Sequence, residues 1–150
     1  MYTLTQTNSD DPDFQSLIKL LDQDLLAIYG EQQSFFDQFN KTDAIKHVIV
    51  LYADGQPVAC GAMKQYDANA MEVKRMFVKQ QHRGQKLGLK VLQAVEQWAA
   101  DLGYTHCVLE TGKSQPEAIK LYQNNGYQII DNYGPYIGVE NSLCMRKEVG

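Results

Sequence analysis

The sequence predicts a mixed α/β fold in which helices cover both faces of a mostly antiparallel central sheet. Two observations lead to this prediction. Short β-branched and apolar runs are separated by turn residues, as in strands, and longer segments repeat apolar residues at helical spacing. The expected order is strand, two helices, three strands, helix, strand, helix and two strands. The length of 150 residues suits one domain, so we expect residues 1–150 to form it.

The first half of the chain should hold four strands and two helices. Pro12, preceded by two aspartates, marks the start of a helix that should stop at Gly30. Residues 31–39 are expected to form a second short helix. Asp54-Gly55 is a strong signal for a hairpin turn between two strands. The predicted strands of this half cover residues 2–7, 46–53, 57–65 and 70–78.

The second half begins with a helix expected from Gly84. Its apolar stripe consists of Leu87, Val91, Val95, Trp98 and Leu102. The strand that follows, residues 104–110, should run parallel to the strand 70–78, because a crossover helix joins them. Pro116 opens the next helix, which should end at Asn125-Gly126. The chain then closes with two strands, residues 127–130 and 142–146.

Composition and charge exclude several classes of protein. No apolar run approaches the roughly 20 residues of a membrane span, and the N-terminus lacks the features of a signal peptide. We therefore expect a cytoplasmic protein with no membrane partner. The net charge of −4 disfavours nucleic acid as a partner. Cys60, Cys107 and Cys144 are odd in number, lie in strand-like segments and lack metal-ligand spacing, so we expect buried thiols and no metal.

Residues 78–92 run from a strand end through a basic, glycine-containing turn into an amphipathic helix. The first N–H groups of a helix lack intrahelical partners, and the helix dipole adds partial positive charge there. Glycines let a phosphate approach the backbone, while Arg83, Lys86 and Lys90 add full charges. The segment predicts a bound phosphate or pyrophosphate. The alternative is a plain helix start whose charges only improve solubility.

The element order and three motifs of this chain resemble the GNAT superfamily of N-acetyltransferases. The motifs are Val-Lys-Arg-Met-Phe-Val at 73–78, Arg-Gly-Gln-Lys-Leu-Gly at 83–88, and Gln-Pro-Glu-Ala-Ile-Lys-Leu-Tyr at 115–122 followed by Asn-Gly-Tyr. The resemblance implies the acyl-CoA N-acyltransferase fold, with a sheet splayed at two parallel strands. The family's turn has a glycine where this chain has Lys86. We expect Lys86 to keep an ordinary negative φ, so that the turn survives the change.

By resemblance the ligand is acetyl-CoA, a cosubstrate, and the reaction needs no metal. Its pyrophosphate is expected on the backbone N–H groups of the turn, and its pantetheine arm along the strand that ends at Val78. Gln115 stands where many members bond the pantetheine with asparagine. The expected cosubstrate-binding residues are Met76, Phe77, Val78, Arg83, Gly84, Gln85, Lys86, Leu87, Gly88, Leu89 and Gln115.

The resemblance also implies an acid and a base. Tyr122 aligns with the family's general-acid tyrosine, and its hydroxyl, with an ordinary pKa of about 10, is protonated at neutral pH and can donate a proton or a strong hydrogen bond to the departing CoA thiolate. The alternative is a core tyrosine on an amphipathic helix. Glu72 and Glu110 match positions where relatives place a glutamate, and either could accept the proton of the substrate ammonium. The alternative for each is a salt bridge at a strand end.

The acceptor pocket is less constrained by the sequence. We expect Tyr29, Arg75 and Tyr136 to line it, with Arg75 holding a substrate carboxylate or else forming an ion pair with Glu72 or Glu110. The favoured acceptor is a small primary amine, amino-acid-like or polyamine-like, that attacks directly in a ternary complex. Protein N-terminal or lysine acetylation and a non-catalytic acyl-CoA sensor are the alternatives. The sequence leaves open a homodimer formed through an edge strand.

Overall fold

The computed structural model describes residues 1–30 and 45–150. The strands are β1 (Tyr2–Thr7), β2 (His47–Ala53), β3 (Gln56–Gln65), β4 (Ala70–Val78), β5 (His106–Gly112), β6 (Gln128–Ile130) and β7 (Ser142–Glu148). The helices of the described residues are α1 (Pro12–Tyr29), α2 (Leu87–Asp101) and α3 (Pro116–Asn124), with short 3₁₀ turns at Gln80–His82 and Gly134–Tyr136. The short helix predicted over residues 31–39 lies outside the described residues.

The described strands form one seven-stranded sheet in the order β1-β2-β3-β4-β5-β7-β6. The pairs β1–β2, β2–β3, β5–β7 and β6–β7 are antiparallel, whereas β4 and β5 run parallel. This arrangement confirms the predicted mixed and mostly antiparallel sheet. The strands β1 and β6 stand at its two edges.

The parallel pairing of β4 with β5 is short. It joins Ala70, Met71 and Glu72 to His106, Cys107 and Val108, which are the first three residues of each strand. By contrast, β5 pairs with β7 along its whole length, from His106 to Gly112. A short parallel register of this kind is what a sheet splayed at two parallel strands requires.

The chain packs as two compact units. The first comprises residues 1–64 and 74–95, and the second comprises residues 65–73 and 96–150. The strand β4 belongs to both, since its first four residues lie in the second unit and its last five in the first. A single domain over residues 1–150 stays a prediction.

In the first unit, helices cover both faces of the sheet. On one face α1 packs against alternate residues of β2 and β3; this cluster contains Phe14, Leu17, Ile18, Ile45, Val48, Val50, Cys60, Ala62 and Phe77. On the other face α2 approaches β3 at Gly61, where an added Cβ would lie 2.8 Å from Val91 Cγ1. Gly61 therefore permits the close packing of α2 on the strand, and the prediction of helices on both faces is confirmed here.

The ends of α1 follow the predicted signals. The Asp11 side chain accepts hydrogen bonds from the backbone N–H groups of Asp13, at 2.8 Å, and Phe14, at 3.4 Å, which satisfies two donors of the first turn. Pro12 begins the helix, and Gly30 ends it at φ +56°. The boundaries predicted from Pro12 and Gly30 are thus confirmed.

The hairpin between β2 and β3 turns at Asp54-Gly55. Both residues have positive φ, +49° and +84°, as a type I′ turn requires. A second turn joins β3 to β4, where Asp67 Oδ1 accepts hydrogen bonds from the N–H groups of Asn69 and Ala70, each at 2.8 Å.

In the second unit, β5, β6 and β7 form an antiparallel group with α3. A half-buried ion pair lies inside this unit: Lys147 Nζ is 2.9 Å from Glu96 Oε1, and the same ammonium lies 5.8 Å from the centre of the Tyr127 ring. The helix α3 begins at Pro116 as predicted, and Asn125 Nδ2 donates to the Leu121 carbonyl at its end.

The start of α2 differs from the prediction. It begins at Leu87 rather than Gly84, because Gly84 and Lys86 both adopt positive φ, which a helix cannot contain. The predicted stripe is buried at Leu87, Val91 and Val95, but Leu102 lies beyond the end of the helix and is 46% exposed.

Within residues 1–30 and 45–150, no helix combines the length and the hydropathy needed to cross a membrane.

Candidate functional site

The basic turn of the first unit has a strained backbone. Gly84 has φ +84° and Lys86 has φ +63°, both in the left-handed region that favours glycine. The expectation that Lys86 keeps a negative φ is therefore wrong. The turn needs two left-handed residues before α2 can start, and the lysine takes up that conformation at a conformational cost.

The helix start of α2 presents its backbone N–H groups. The Lys90 N–H donates to the Lys86 carbonyl at 3.2 Å, so the N–H groups of residues 87–89 precede the first bond of the helical ladder. The Leu87 side chain is only 1% exposed and serves the core. The expected contact of Leu87 with a phosphate is therefore limited to its backbone N–H, at the helix end where the dipole favours an anion.

Arg83 already has partners in the first unit. One guanidinium nitrogen, Nη2, lies 2.8 Å from Asp24 Oδ2, and Nε donates to the Val78 carbonyl at 2.9 Å. The guanidinium carbon also lies 5.7 Å from the centre of the Phe77 ring. Because both members of the Arg83–Asp24 pair are nearly half exposed, the pair contributes at most about 1 kcal/mol. A phosphate can share or replace the Asp24 carboxylate.

The strand β1 also contributes to this region, which the sequence analysis missed. The Tyr2 hydroxyl donates to Gln85 Oε1 at 2.6 Å, and Lys90 Nζ lies 5.9 Å from the centre of the Tyr2 ring. Tyr2 and Gln85 are 83 residues apart, so no local pattern could have indicated the contact.

Replacing Lys86 by glycine is expected to raise the free energy of unfolding by roughly 0.5–1 kcal/mol. Glycine relieves the left-handed strain of about 1–2 kcal/mol, and the greater freedom of the unfolded chain offsets part of that gain. Lys90→Gly is the matched control, because Lys90 is an equally exposed lysine inside α2, where glycine costs about 1 kcal/mol. Urea denaturation should show opposite signs for the two variants. A Lys86→Gly variant less stable than the wild type would contradict the inference that the Lys86 backbone is strained.

The last residues of β4 turn their side chains into the first unit. Phe77 is 7% exposed and belongs to the cluster beneath α1. The Met76 sulfur packs so closely over Gly61 that no Cβ fits there. Cosubstrate binding by Met76, Phe77 and Val78 remains a prediction. The side chains of Met76 and Phe77 pack within the first unit, and the Val78 carbonyl already accepts a hydrogen bond from Arg83 Nε, so binding there would depend on the other backbone groups of these residues.

Arg75 forms an ion pair with an unexpected partner. Its Nη1 lies 2.8 Å from Asp22 Oδ1 of α1, and its side chain is 7% exposed. Neither Glu72 nor Glu110 is that partner, so the sequence interpretation named the wrong carboxylates. Among the described residues its buried Nε has no hydrogen-bond partner. Arg75 also has φ +57° within β4, a local irregularity of the strand. Its proposed contact with substrate stays a prediction.

In the second unit, Glu72 is held by a tyrosine. The Tyr133 hydroxyl donates to Glu72 Oε2 at 2.6 Å. Burial, followed by the negative charge of Glu72, raises the pKa of Tyr133 far above its usual value, so the phenol stays a donor. Tyr133 and Glu72 are 61 residues apart, and no local sequence pattern indicated their contact.

The negative charge of Glu110 acts on Tyr122, the predicted general acid. Tyr122 is 7% exposed on α3, and burial, followed by the charge of Glu110, raises the pKa of its hydroxyl well above the ordinary value. Tyr136 is 2% exposed, and burial, Glu110 and Glu72 together raise its pKa. The second unit thus brings together two carboxylates with buried tyrosines that remain protonated across the physiological range.

The three cysteines lie buried as free thiols. Burial raises the pKa of Cys60 and Cys107 to about 12 each and that of Cys144 to about 11. A thiol reacts as its thiolate, which is scarce at neutral pH under these conditions. None of them is suited to accept an acetyl group.

Two of the residues predicted to bind ligands, Gln115 and Tyr29, lie at helix ends. Gln115 occupies the position before α3, where its side chain does not cap the helix, and its backbone N–H donates to the Gly112 carbonyl at 2.9 Å. Tyr29 is the last residue of α1 and is half-buried.

Across the part of the chain that the structure describes, no three His, Cys, Asp or Glu side chains group as metal ligands would.

A family model described as the acetyltransferase (GNAT) family matches residues 13–127, more than half of the chain. An IAA acetyltransferase of Azospirillum brasilense is 33% identical over 133 residues, which cover 87% of this chain and 87% of that protein.

Solved structures agree with these sequence matches. A candidate acyl-CoA N-acyltransferase of Klebsiella pneumoniae has a TM-score of 0.83 and 33% identity, with 100% of this chain and 99% of that chain covered. The PaiA N-acetyltransferase of Thermoplasma acidophilum, solved in complex with coenzyme A, has a TM-score of 0.73 and 18% identity over 99% of each chain. At that identity the second likeness concerns the fold alone.

Proposed function

Because this chain belongs to the acetyltransferase (GNAT) family and is an acetyl-CoA-dependent acyltransferase, we propose that it acetylates the primary amine of a small molecule. The acceptor is amino-acid-like or polyamine-like. The observation that carries the proposal is the acid–base group of the second unit, in which Glu72, Glu110 and buried tyrosines lie within electrostatic reach of one another.

The turn of the first unit is proposed to hold the pyrophosphate of acetyl-CoA. Gly84 has no neighbour within 4 Å of an added Cβ, so the backbone is open to a ligand there. The N–H groups at the start of α2 and the charges of Arg83 and Lys86 supply donors and positive potential. The pantetheine arm is proposed to extend along the backbone of β4 toward Met76.

In the proposed reaction the substrate nitrogen attacks the thioester carbonyl carbon, and the carbon–sulfur bond breaks. Glu72 takes a proton from the substrate ammonium, so that the nitrogen lone pair becomes available. The departing thiolate receives the proton of the Tyr122 hydroxyl, and the second proton, which the attacking nitrogen loses as the amide forms, restores that hydroxyl. Tyr133 positions the Glu72 carboxylate through its hydrogen bond, and Glu110 is the second candidate for the base.

Direct transfer is favoured over an acetyl-cysteine intermediate by the state of the thiols. Cys60, Cys107 and Cys144 are buried, and burial raises the pKa of each thiol, which disfavours a cysteine nucleophile and favours reaction with both substrates bound. Initial rates measured against both substrate concentrations are therefore expected to give intersecting rather than parallel double-reciprocal lines.

A panel of small amines, peptides with free N-termini and lysine peptides tests the function. CoA thiol release is followed with acetyl-CoA present, and mass spectrometry identifies the N-acetyl product. Small amines are expected to give the highest kcat/KM. Faster acetylation of peptides would favour the protein acetyltransferase instead, and acetyl-CoA binding without turnover of any amine would favour a sensor.

A further inference from the structure

A cavity of about 270 Å³ lies within the second unit, on the face of the sheet that carries Glu72. Its lining includes Tyr66, Ala70, His106, Val108, Tyr133 and Arg146. Tyr133 is the residue whose hydroxyl bonds Glu72, so one wall of the cavity adjoins the proposed base. The volume lies below the roughly 300–1,000 Å³ of pockets for drug-sized ligands, which favours a small metabolite over a peptide.

Strand register fixes where Arg146 lies relative to Glu72. Glu72 of β4 pairs with Val108 of β5, and Val108 pairs with Arg146 of β7. Paired residues of neighbouring strands project from the same face of a sheet, and strands are about 4.8 Å apart. A carboxylate and a guanidinium therefore stand on one face with their Cα atoms roughly 10 Å apart, separated by an apolar valine.

Among the described residues, the positive charge of Arg146 has no partner. Its side chain is exposed, and the described residues record no hydrogen bond or ion pair from its guanidinium. The acid that also lines the cavity, Asp67, is held in a turn, where its Oδ1 accepts the N–H groups of Asn69 and Ala70. His106 lines the cavity as well, and its Nδ1 is 2.8 Å from Thr105 Oγ1, which leaves Nε2 for a ligand.

We propose that Arg146, with His106 beside it, binds the carboxylate of the acceptor, so that the substrate is a small amino carboxylate. The inference rests on the proposed function and names its substrate class. A guanidinium matches a carboxylate with two parallel hydrogen bonds, while Glu72 stands on the same face to meet the ammonium. A diamine or polyamine would place a second positive charge against Arg146, which selects against that class.

Two series of acceptors of equal chain length test the proposal: ω-amino carboxylates and the corresponding unbranched alkylamines, with diamines as a third set. The wild-type protein is expected to show the highest kcat/KM for amino carboxylates. Arg146→Gln should lower kcat/KM for amino carboxylates by roughly 10- to 100-fold and leave that for alkylamines nearly unchanged. Arg146→Lys should recover part of the loss.

Lys120→Gln is the control for removing an exposed positive charge, because Lys120 lies on α3 outside the cavity lining. It should leave both series unchanged. The proposal is overturned if alkylamines or diamines are acetylated as well as amino carboxylates, or if Arg146→Gln lowers both series equally.

Calorimetric binding of the amino carboxylates separates this proposal from the function it rests on. Turnover of alkylamines alone retains the acetyltransferase and rejects the Arg146 site. Absence of all turnover, with binding that Arg146→Gln weakens, retains the carboxylate site and rejects the proposed reaction. Absence of both turnover and binding rejects both.

Discussion

Replacing Tyr122 by phenylalanine is expected to lower kcat by roughly 10²–10⁴-fold, the usual range for a lost general acid, while the affinity for acetyl-CoA stays nearly unchanged. The hydroxyl is proposed to act only when the thiolate leaves, so its removal affects the transition state and not cosubstrate binding. Steady-state kinetics give kcat, and calorimetry gives the dissociation constant of acetyl-CoA.

The pH profile adds a signed expectation for the same residue. Burial and the charge of Glu110 raise the pKa of Tyr122, which means that the protonated phenol persists to higher pH than an ordinary tyrosine. The acid is therefore available throughout the neutral and mildly alkaline range. No loss of kcat from ionisation of Tyr122 is expected there.

Tyr127→Phe is the matched control for Tyr122→Phe. The two rings contact each other edge to face at 5.7 Å, and both side chains are buried, so each variant removes one buried hydroxyl from the same region. Tyr127→Phe should retain most of the activity. An unchanged kcat in Tyr122→Phe would show Tyr122 to be a core tyrosine, and equal losses in both variants would indicate a structural effect.

The second large effect is expected for Glu72→Gln, which should lower kcat/KM by roughly 10²–10⁴-fold. A general base works only as its carboxylate, so the wild-type rate should fall at acidic pH. Glu72→Gln should remove this acidic limb from the profile, since glutamine cannot titrate. The measurement is kcat/KM against pH for the wild type and both glutamine variants.

Glu110→Gln is the comparison that decides between the two carboxylates. If Glu72 is the base, Glu110→Gln retains the acidic limb. A limb that survives in Glu72→Gln and disappears in Glu110→Gln assigns the role to Glu110 instead. Tyr133→Phe removes the hydrogen bond to Glu72 at 2.6 Å and should give a smaller loss, as expected for a positioning residue.

Elements with local signals could be predicted from the sequence. The start and end of α1 depend on Asp11, Pro12 and Gly30, which act within a few residues of their own position. The hairpin at Asp54-Gly55 likewise depends on the two residues that form it. Within residues 1–30 and 45–150, such signals predicted the order of the elements and most of their boundaries correctly.

Contacts between distant segments could not be predicted in the same way. Tyr133 meets Glu72 across 61 residues, and Arg75 meets Asp22 across 53. The carboxylate that pairs with Arg75 depends on how β4 and α1 pack, and no local pattern in the sequence specifies that packing. The conformation of Lys86 was missed for a related reason: the turn geometry imposes a positive φ on a residue that normally avoids it.

The strain at Lys86 has a consequence for the protein at work. Its cost of roughly 1–2 kcal/mol is present in the folded state with or without a ligand, whereas any benefit of the lysine charge arises only when an anion is bound. Ligand binding stabilises by mass action, by about 2.7 kcal/mol when the free ligand is at a hundred times its dissociation constant. Acetyl-CoA at such a concentration would offset the strain, so the thermal stability of this protein should follow the supply of its cosubstrate.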